Sequence, residues 1–490
     1  MKICRFTFKK EGESKVKVMF VSSECSPFAL SGGLGDVIGA LPKAIRQEEA
    51  QIEISVIMPY YDLIREKFYN ELRYSCDLSF RLSWRNTGAT VYETERDGVR
   101  YYFIENHRYF DRGRLYGEHD DAERFAFFSI AVIEFILKSG NFVDILHAND
   151  WQSAMSIVYL KTLYKNIYQL SSIRTLFTVH NIEYQGIFSS FVQKDVLGLG
   201  EEFSGILEYN GAVNFMKAAL TVSDFLTTVS PNYKNELRYD FFAFGLAPVI
   251  NSVFHKTAGI INGIDYKCFS PENDSELYFN YSKNNLSEGK AKNKEAFQKE
   301  CGLEIASDVP LIAMITRLTA GKGVDLVLHV LEELLSYNKV QFVVLGTGEE
   351  KYETKLRSLS DKYENLVSII KFDRAISKKL YAAADMFLMP SRSEPCGLAQ
   401  MIACSYGTVP IVRSVGGLYD SISAWDGREG NGFRFDNFNA HEMLYVIKKA
   451  IEVYGSEDWE KIRSNAKDSR FDWSSSAKEY ISVYKNLLKW

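Results

Sequence analysis

The sequence predicts an α/β protein made of two doubly wound, Rossmann-like domains, and three observations support this. Short runs of aliphatic and β-branched residues alternate with helical stretches along the chain. Several of these runs, such as Val-Met-Phe-Val at 18–21, are apolar throughout, as parallel strands covered on both faces are. The alternation then stops and begins again, and 490 residues suffice for two large domains, each with its own core.

The first series of elements extends to about residue 258. Apolar runs predict its strands at residues 16–22, 53–58, 144–148, 175–180 and 225–230. Helical patterns between them predict helices at residues 36–48, 123–138, 153–164 and 213–220. The repeated strand–helix order favours a parallel sheet, and we expect a first domain over residues 1–258.

The second series follows a polar stretch at residues 271–307, and the chain is expected to cross between domains near 255–265. Its strands are predicted at residues 311–316, 340–345, 366–371, 385–389 and 409–412, and its helices at 323–336, 350–363 and 377–384. This domain is assigned residues 266–470, and a last helix at 474–488 lies in the segment 471–490. Open α/β sheets bind ligands beyond the carboxyl ends of their strands, so candidate functional residues should directly follow strands.

Composition narrows the classes of function. Lys and Arg total 58 against 63 Asp and Glu, and this balance argues against a dedicated nucleic-acid binder. Seven scattered cysteines show no metal-ligand spacing, which favours free thiols and no metal site. The chain starts without an apolar signal core, and its most apolar stretch, 125–137, is too short for a membrane span. We therefore expect a cytoplasmic protein that binds neither nucleic acid nor membrane.

Three strand ends in the first half carry polar or glycine-rich motifs. Ser-Gly-Gly-Leu-Gly-Asp at 31–36 precedes a helix and is either a tight turn with packing glycines or a phosphate-binding loop. Asp150 and Trp151 end another strand, where an acid beside an indole suits a sugar and equally suits a helix cap beside a packed ring. His180 and Asn181 end the next strand, as ligand-binding or as structural residues.

The second half has two more such motifs. Arg317 and Lys322 follow its first strand and converge on a helix start, which favours a pyrophosphate site over a solvated basic turn. The segment 390–398, Pro-Ser-Arg-Ser-Glu-Pro-Cys-Gly-Leu, places Glu394 beside the N–H groups of another helix start. Cys396 is a weak nucleophile candidate because no histidine is near it in sequence.

Taken in order, these motifs resemble those of bacterial glycogen synthases and plant starch synthases, glycosyltransferase family 5. The resemblance extends from about residue 17 to the C-terminus. It rests on Ser-Gly-Gly-Leu-Gly-Asp-Val-Ile-Gly-Ala-Leu-Pro at 31–42, His-Ala-Asn-Asp-Trp at 147–151, Thr-Val-His-Asn-Ile-Glu-Tyr-Gln-Gly at 178–186, Asn-Gly-Ile-Asp at 262–265, Thr-Arg-Leu-Thr-Ala-Gly-Lys-Gly at 316–323 and Ser-Arg-Ser-Glu-Pro-Cys-Gly-Leu at 391–398.

The resemblance implies a GT-B fold, in which two Rossmann-like domains face a central cleft and the C-terminal helix at 471–490 crosses back to the first domain. It implies retaining transfer of glucose from a nucleotide sugar, ADP-glucose in most bacterial members, to the non-reducing end of an α-1,4-glucan. No cofactor and no metal are implied. The donor is a substrate, and the glucan acceptor is the expected partner.

The resemblance also assigns roles to residues. Arg317 and Lys322 would hold the diphosphate and stabilise the leaving group, Glu394 would contact the transferred glucose, and His180 would line the sugar pocket. The implied catalytic residues are thus Glu394, Arg317, Lys322 and His180, and the implied substrate-binding residues are Gly32, Gly33, Asp36, Asp150, Asn181, Asn262, Cys396, Gly397 and Leu398.

Four departures from the family pattern keep alternatives open. Leu30 stands where the family usually has lysine, which removes a cation from the donor pocket; the others are Gln152 for His, Phe372 for Tyr and Gly321 for Gln. One alternative is a catalytically weakened paralogue that binds glucan or nucleotide sugar in a regulatory role. Another is a related glycosyltransferase that uses UDP-glucose or a different acceptor, such as a sucrose-forming enzyme. An NAD oxidoreductase is disfavoured by the glycine spacing.

Overall fold

A computed structural model describes residues 15–337 and 339–489 of the chain and divides them into two compact units. The first unit contains the described residues up to Thr227, together with Ala243–Thr257 and the residues from Ser476 onward. The second contains Thr228–Phe242 and Ala258–Ser475. The α/β class and the restart of the pattern are therefore as predicted.

Ala258 and residues 471–475 fall in the second unit, and apart from them the division differs from the predicted boundaries 1–258, 266–470 and 471–490 in one segment. Thr228–Phe242, which the sequence assigns to the first domain, belongs to the second unit. Its contacts explain this, because the backbone N–H of Asn232 donates to Asp420 Oδ2 at 2.8 Å and Glu236 Oε1 accepts from the N–H of Gly416 at 2.9 Å.

A nine-stranded sheet organises the first unit, in the order β12-β11-β7-β6-β1-β2-β5-β4-β3, and a small sheet has the order β8-β10-β9. The strands are β1 Val16–Val21, β2 Ile52–Pro59, β3 Arg73–Leu82, β4 Arg85–Arg96, β5 Val99–Glu105, β6 Ile145–Asn149, β7 Arg174–Val179, β8 Ile187–Ser189, β9 Glu208–Tyr209, β10 Ala212–Asn214, β11 Phe225–Thr228 and β12 Thr257–Gly259.

The second unit contains a six-stranded sheet in the order β15-β14-β13-β16-β17-β18. Each pair of neighbouring strands in it is parallel. The strands are β13 Leu311–Ile315, β14 Gln341–Leu345, β15 Leu366–Ile369, β16 Met386–Met389, β17 Val409–Arg413 and β18 Phe433–Phe435.

Helices follow most of the parallel strands and cover the sheets. In chain order they are α1 Gly33–Glu48, α2 Asp62–Phe68, α3 His107–Phe110, α4 Asp121–Ser139, α5 Trp151–Lys161, α6 Phe191–Asp195, α7 Ser204–Leu207, α8 Phe215–Val222, α9 Pro231–Glu236, α10 Asp240–Ala243, α11 Ala247–Val253, α12 Leu286–Cys301, α13 Val324–Tyr337, α14 Glu350–Lys362, α15 Arg374–Ala383, α16 Ala399–Ser405, α17 Gly416–Ser421, α18 Ala440–Val453, α19 Glu457–Asp468 and α20 Trp473–Leu488. Among the described residues, none of these helices has the length and hydropathy needed to cross a bilayer.

The hairpin β3–β4 is not among the predicted elements. It pairs antiparallel, and β4 also pairs antiparallel with β5. Its inward residues alternate with exposed ones, as at Leu78, Phe80 and Leu82 in β3. Several of the predicted strands are apolar throughout, whereas an antiparallel edge strand with one face in water alternates instead.

Strand order gathers the predicted site residues into two groups. In the first unit β1, β6 and β7 are parallel neighbours, and in the second β13, β16 and β17 are. Because the carboxyl ends of parallel neighbours meet at one sheet edge, the loops that follow them lie together.

Candidate active site

The loop after β1 is organised by Glu24, a buried carboxylate that is not among the predicted site residues. Its Oε2 accepts the backbone N–H groups of Ser31 and Gly32, and its Oε1 accepts the hydroxyl of Ser31 at 2.8 Å and that of Tyr116 at 2.7 Å. Two N–H groups in front of α1 are thus held by the chain itself. Helix α1 begins at Gly33, three residues before the predicted start.

Gly32 and Gly33 are exposed, and a Cβ on either would meet nothing within 4 Å. Open space at both positions suits a ligand that approaches the backbone closely. Asp36 lies in the first turn of α1 and is half-buried, so it belongs to the helix rather than to a loop. Leu30, at the departure from the family lysine, is 39% exposed.

The ends of β6 and β7 bring Asp150 and His180 together. The Asp150 carboxylate accepts the N–H of His180 at 2.7 Å and that of Asn181 at 3.4 Å. His180 Nε2 lies 2.9 Å from Asn149 Oδ1, and the Asn149 amide nitrogen is already donating to two backbone carbonyls. Nε2 therefore carries the imidazole proton, which leaves Nδ1 as an acceptor.

Burial sets the protonation of both groups. It raises the pKa of Asp150 to about 7, although the two N–H donors oppose the shift. It lowers the pKa of His180 to about 3, so the imidazole is neutral at physiological pH. Asp150 also has a φ of +56°, a strained backbone conformation for a residue with a side chain. Strain and perturbed titration together are typical of a functional strand end.

Trp151 does not present its ring to a ligand. It is 8% exposed, its ring centroid lies 5.1 Å from that of Phe125, and a Cβ on Gly186 would come within 2.5 Å of it. The sugar-stacking interpretation of Trp151 is therefore wrong, and the packed alternative holds. Asp150 beside it does not fill the role of a hydrogen-bonding helix cap, because its carboxylate is engaged by the loop after β7.

In the second unit, Lys322 and Glu394 meet. Lys322 follows β13, Glu394 follows β16, and Lys322 Nζ lies 2.6 Å from Glu394 Oε2. The buried Ser391 hydroxyl donates to the same oxygen at 3.0 Å. Oε1 of Glu394 has no hydrogen-bond partner among the described residues, so one carboxylate oxygen is held and the other is left to accept.

Glycines allow the loops after β13, β16 and β17 to touch. Gly323 has a φ of +73°, and a Cβ there would lie 2.2 Å from the carbonyl oxygen of Pro390. A Cβ on Gly416 would lie 2.0 Å from the carbonyl oxygen of Glu394. The N–H of Arg392 also donates to the Gly321 carbonyl at 2.9 Å. Only residues without a side chain fit these two approaches, which place Lys322 beside Glu394.

Arg413 stabilises the same junction, and it is not among the predicted site residues. Arg413 is 9% exposed, and its guanidinium donates to the carbonyls of Arg392 at 2.7 Å and Asp436 at 3.1 Å. The sequence around residue 413 does not mark this role, because the hydrogen-bond partners of Arg413 are backbone carbonyls of distant segments.

Arg317 differs from Lys322 in having no partner. It is exposed, and within residues 15–337 and 339–489 its guanidinium has no ion pair or hydrogen bond. Asn262 is 5% exposed and its Oδ1 is buried without a hydrogen-bond partner in the described chain. An unpaired cation and an unsatisfied buried amide oxygen are groups that a bound ligand could satisfy.

Cys396, Gly397 and Leu398 form the turn into α16. Burial raises the pKa of the Cys396 thiol to about 12, so it stays protonated at neutral pH and is unsuited to nucleophilic attack. Gly397 has a φ of +71°, and its carbonyl accepts the side-chain amide of Gln400 at 2.9 Å.

The predicted residues thus form two clusters. Gly32, Gly33, Asp36, Asp150, His180 and Asn181 belong to neighbouring strand ends of the first unit, and Asn262, Arg317, Lys322, Glu394, Cys396, Gly397 and Leu398 belong to the second. Glu24, Tyr116, Asn149 and Ser391 are further members that sequence reasoning missed. Little in the sequence marks these residues, because the role of a buried acid or hydroxyl depends on the groups that lie next to it in the fold.

Comparison with known proteins matches both halves of the chain. Residues 17–252 match the family described as starch synthase catalytic domain, and residues 297–469 match glycosyl transferases group 1. A glycogen synthase of Clostridium botulinum (strain Eklund 17B / Type B) is 43% identical over 96% of this chain and 99% of its own length. One from Bacillus cereus (strain ATCC 10987 / NRS 248) is 42% identical over 97% of this chain and 100% of its own.

Solved structures match as well. The catalytic domain of starch synthase IV from Arabidopsis thaliana, bound to ADP and acarbose, is 32% identical, with a TM-score of 0.88 over 97% of this chain and 100% of that one. Sucrose-phosphate synthase from Thermosynechococcus elongatus has a TM-score of 0.59 at 16% identity over 97% and 100%, which is a likeness of fold alone. These neighbours share the GT-B fold that the motifs imply.

Proposed function

Because this chain belongs to the family of glycogen and starch synthases, and is thus a glycosyltransferase, we propose that it transfers glucose from ADP-glucose to the non-reducing end of an α-1,4-glucan with retention. The observation that carries the proposal is the junction of three loops in the second unit. There Lys322 is held on Glu394, and Arg317, which precedes Lys322 in the loop after β13, has no partner among the described residues. The ADP in the Arabidopsis structure supports an ADP-linked donor.

The two cations serve the leaving group in this proposal. As the bond between glucose C1 and the phosphate oxygen breaks, the nucleoside diphosphate gains negative charge. Arg317 can hold two phosphate oxygens with its planar guanidinium, and Lys322 adds a point charge. Groups that are already in place when the charge develops stabilise the transition state more than the ground state.

By the family resemblance, Glu394 would contact the transferred glucose and His180 would line a sugar pocket. Glu394 Oε1 is unengaged within the described residues and can accept a sugar hydroxyl, while Lys322 and Ser391 fix the other oxygen. Neutral His180 offers Nδ1 as an acceptor for another hydroxyl, and burial keeps it neutral. Asn262 Oδ1 would gain the hydrogen bond that it lacks.

Retention is proposed to occur by attack on the same face that the phosphate leaves. The incoming glucan hydroxyl forms the new C1–O bond, and its proton passes to an oxygen of the departing phosphate. The high pKa of Cys396 supports a mechanism without a cysteine nucleophile. A trapped covalent glucosyl–enzyme adduct, at Glu394 or elsewhere, would overturn it.

The test is incorporation of labelled glucose into glycogen by the purified full chain, with ADP-glucose and UDP-glucose as separate donors. We expect incorporation from ADP-glucose and its loss in Glu394→Gln. Faster transfer from UDP-glucose than from ADP-glucose would assign UDP-glucose as the donor. Tight binding of both substrates with no transfer would support the regulatory paralogue that the loss of the lysine at position 30 suggests.

We place the reaction in the cytoplasm, which the six free cysteines of the described chain favour.

A further inference from the structure

The tip of the β3–β4 hairpin is locked onto helix α6. The hydroxyl of Ser83 donates to the Lys194 carbonyl at 3.1 Å, and the indole N–H of Trp84 donates to Asp195 Oδ1 at 2.9 Å. Arg85 donates to Asp195 Oδ2 at 2.8 Å and to its backbone carbonyl at 2.6 Å. Four hydrogen bonds therefore fix the Trp84 side chain and its surroundings.

Despite these bonds, the Trp84 ring is 69% exposed. The Arg85 guanidinium stacks on the ring with its carbon 4.3 Å from the centroid, which further restricts the indole. Phe191 is 70% exposed and lies four residues before Asp195 on α6, on the same face of the helix. The indole is thus held rigid beside Asp195 before any ligand binds, and Phe191 lies one helical turn before Asp195. Preorganised aromatic side chains are low-entropy anchors for binding.

The charge of this surface suits an uncharged ligand. Hydrogen bonds from Arg85, and then from Trp84, lower the pKa of Asp195, so the carboxylate is ionised and paired. Glu123 lies 3.4 Å from the same guanidinium. Arg108 Nη2 lies 3.2 Å from Glu123 Oε1, so two cations and two carboxylates compensate one another locally and offer hydrogen bonds beside apolar rings. A polyhydroxylated, uncharged chain matches this combination, because each sugar has an apolar face and a rim of hydroxyls.

We propose that Trp84, Phe191 and Asp195 form a second binding site for the α-glucan, apart from the residues that handle the reaction. The choice of ligand rests on the proposed function. The segment that leaves the end of β7 at His180 continues past Gly186, which packs on Trp151, and reaches α6 eleven residues after His180. One continuous segment therefore joins the proposed sugar-binding strand end to this aromatic surface.

A second contact on a polymer has a measurable consequence. Glycogen that is held at the aromatic surface has many chain ends nearby, so their effective concentration at the reacting site rises. We expect maltotriose, with only three glucose units, to gain little from a second contact. The site should therefore lower the KM for glycogen without changing the KM for maltotriose.

The experiment compares the full-length protein with Trp84→Ala and Phe191→Ala in native gels that contain glycogen. Tyr168→Ala is the matched control, since Tyr168 is an 88% exposed aromatic residue of the same unit outside this surface. We expect about ten-fold weaker glycogen binding for Trp84→Ala, a typical loss when a central tryptophan is truncated, and unchanged binding for the control. Trp84→Phe, which keeps a ring, should retain most of the binding.

Unchanged retardation of both Trp84→Ala and Phe191→Ala would overturn the proposal. If Trp84→Ala lowers the melting temperature, Phe191→Ala decides, because its ring is largely exposed. A dimer in size-exclusion chromatography that Trp84→Ala dissociates, with retardation unchanged, would assign the surface to a second copy and also overturn it. Retardation does not require turnover. A chain that binds glycogen here yet transfers no glucose would therefore refute the proposed function and leave this site standing.

Discussion

Replacing Arg317 with alanine should remove most of the transferase activity and leave the stability of the fold unchanged. The guanidinium is exposed and has no partner among the described residues, so its loss breaks no interaction. Exposed substitutions of this kind change the free energy of unfolding by about 0.5 kcal/mol or less. Loss of one preorganised charge contact to a transition state costs about 3–4 kcal/mol, or roughly 10²–10³ in kcat.

Lys322→Ala should behave differently, although both residues are assigned to the diphosphate. Its side chain is 22% exposed and that of Glu394 is 10% exposed. Breaking a fully buried ion pair costs about 3–5 kcal/mol and an exposed one about 1 kcal/mol or less, so this pair falls near 1–3 kcal/mol. We therefore expect Lys322→Ala to lower both kcat and the melting temperature.

The assay measures kcat with saturating ADP-glucose and glycogen beside a thermal melt for each variant. Arg357→Ala, an exposed arginine on α14, serves as the control and should change neither quantity. If Arg317→Ala mainly lowered the melting temperature, or left kcat within about two-fold of the parent, the diphosphate role would be refuted.

Four further predictions concern one glycine approach and three residues of the first unit. Leu30→Lys, at an exposed position, should restore a charge contact of about 1.5–3 kcal/mol to the donor and lower its KM by ten-fold or more. Gly323→Ala should destabilise the protein by more than the roughly 1 kcal/mol of a strained backbone, because its Cβ would also meet Pro390. Asp150→Asn should make the free energy of unfolding rise more steeply between about pH 4 and pH 7. The raised pKa of Asp150 stabilises the parent fold below about pH 4, and this contribution is lost as pH rises to 7. His180→Gln should flatten the same rise, since the lowered pKa of His180 gives stability above about pH 6.5 that is lost as pH falls toward 3.

Each of these has a clear contrary result. An unchanged donor KM in Leu30→Lys would show that the lysine of the family has no counterpart function here. A Gly323→Ala protein as stable as the parent would mean that the two loops move apart at little cost. Parallel pH–stability curves for Asp150→Asn, His180→Gln and the parent would show that neither group titrates with a shifted pKa.

The order of elements in the second unit and the strand-end positions of the site follow from the sequence. Apolar runs and helical periods predict β13 to β17 within one or two residues at most ends. The meeting of Lys322 with Glu394 does not follow, because it depends on β13 and β16 being neighbours in the sheet. Strand order is decided by long-range packing that a local pattern does not contain.

The first unit shows where local patterns mislead. The glycines at 32, 33 and 35 suggest a loop, yet the helix begins at Gly33 and Glu24 takes the preceding N–H groups. Trp151 beside Asp150 suggests a sugar platform and is a packed core ring, whereas the Trp84 ring is 69% exposed. A residue type indicates which contacts are possible, and burial decides which are made.

The most direct test of the account is a crystal structure of the protein with ADP bound. We predict that the Arg317 guanidinium and Lys322 Nζ both lie within about 2.7–3.2 Å of diphosphate oxygens. A diphosphate held elsewhere, with Arg317 still unpaired and Lys322 contacting only Glu394, would contradict the claim that these two cations stabilise the leaving group.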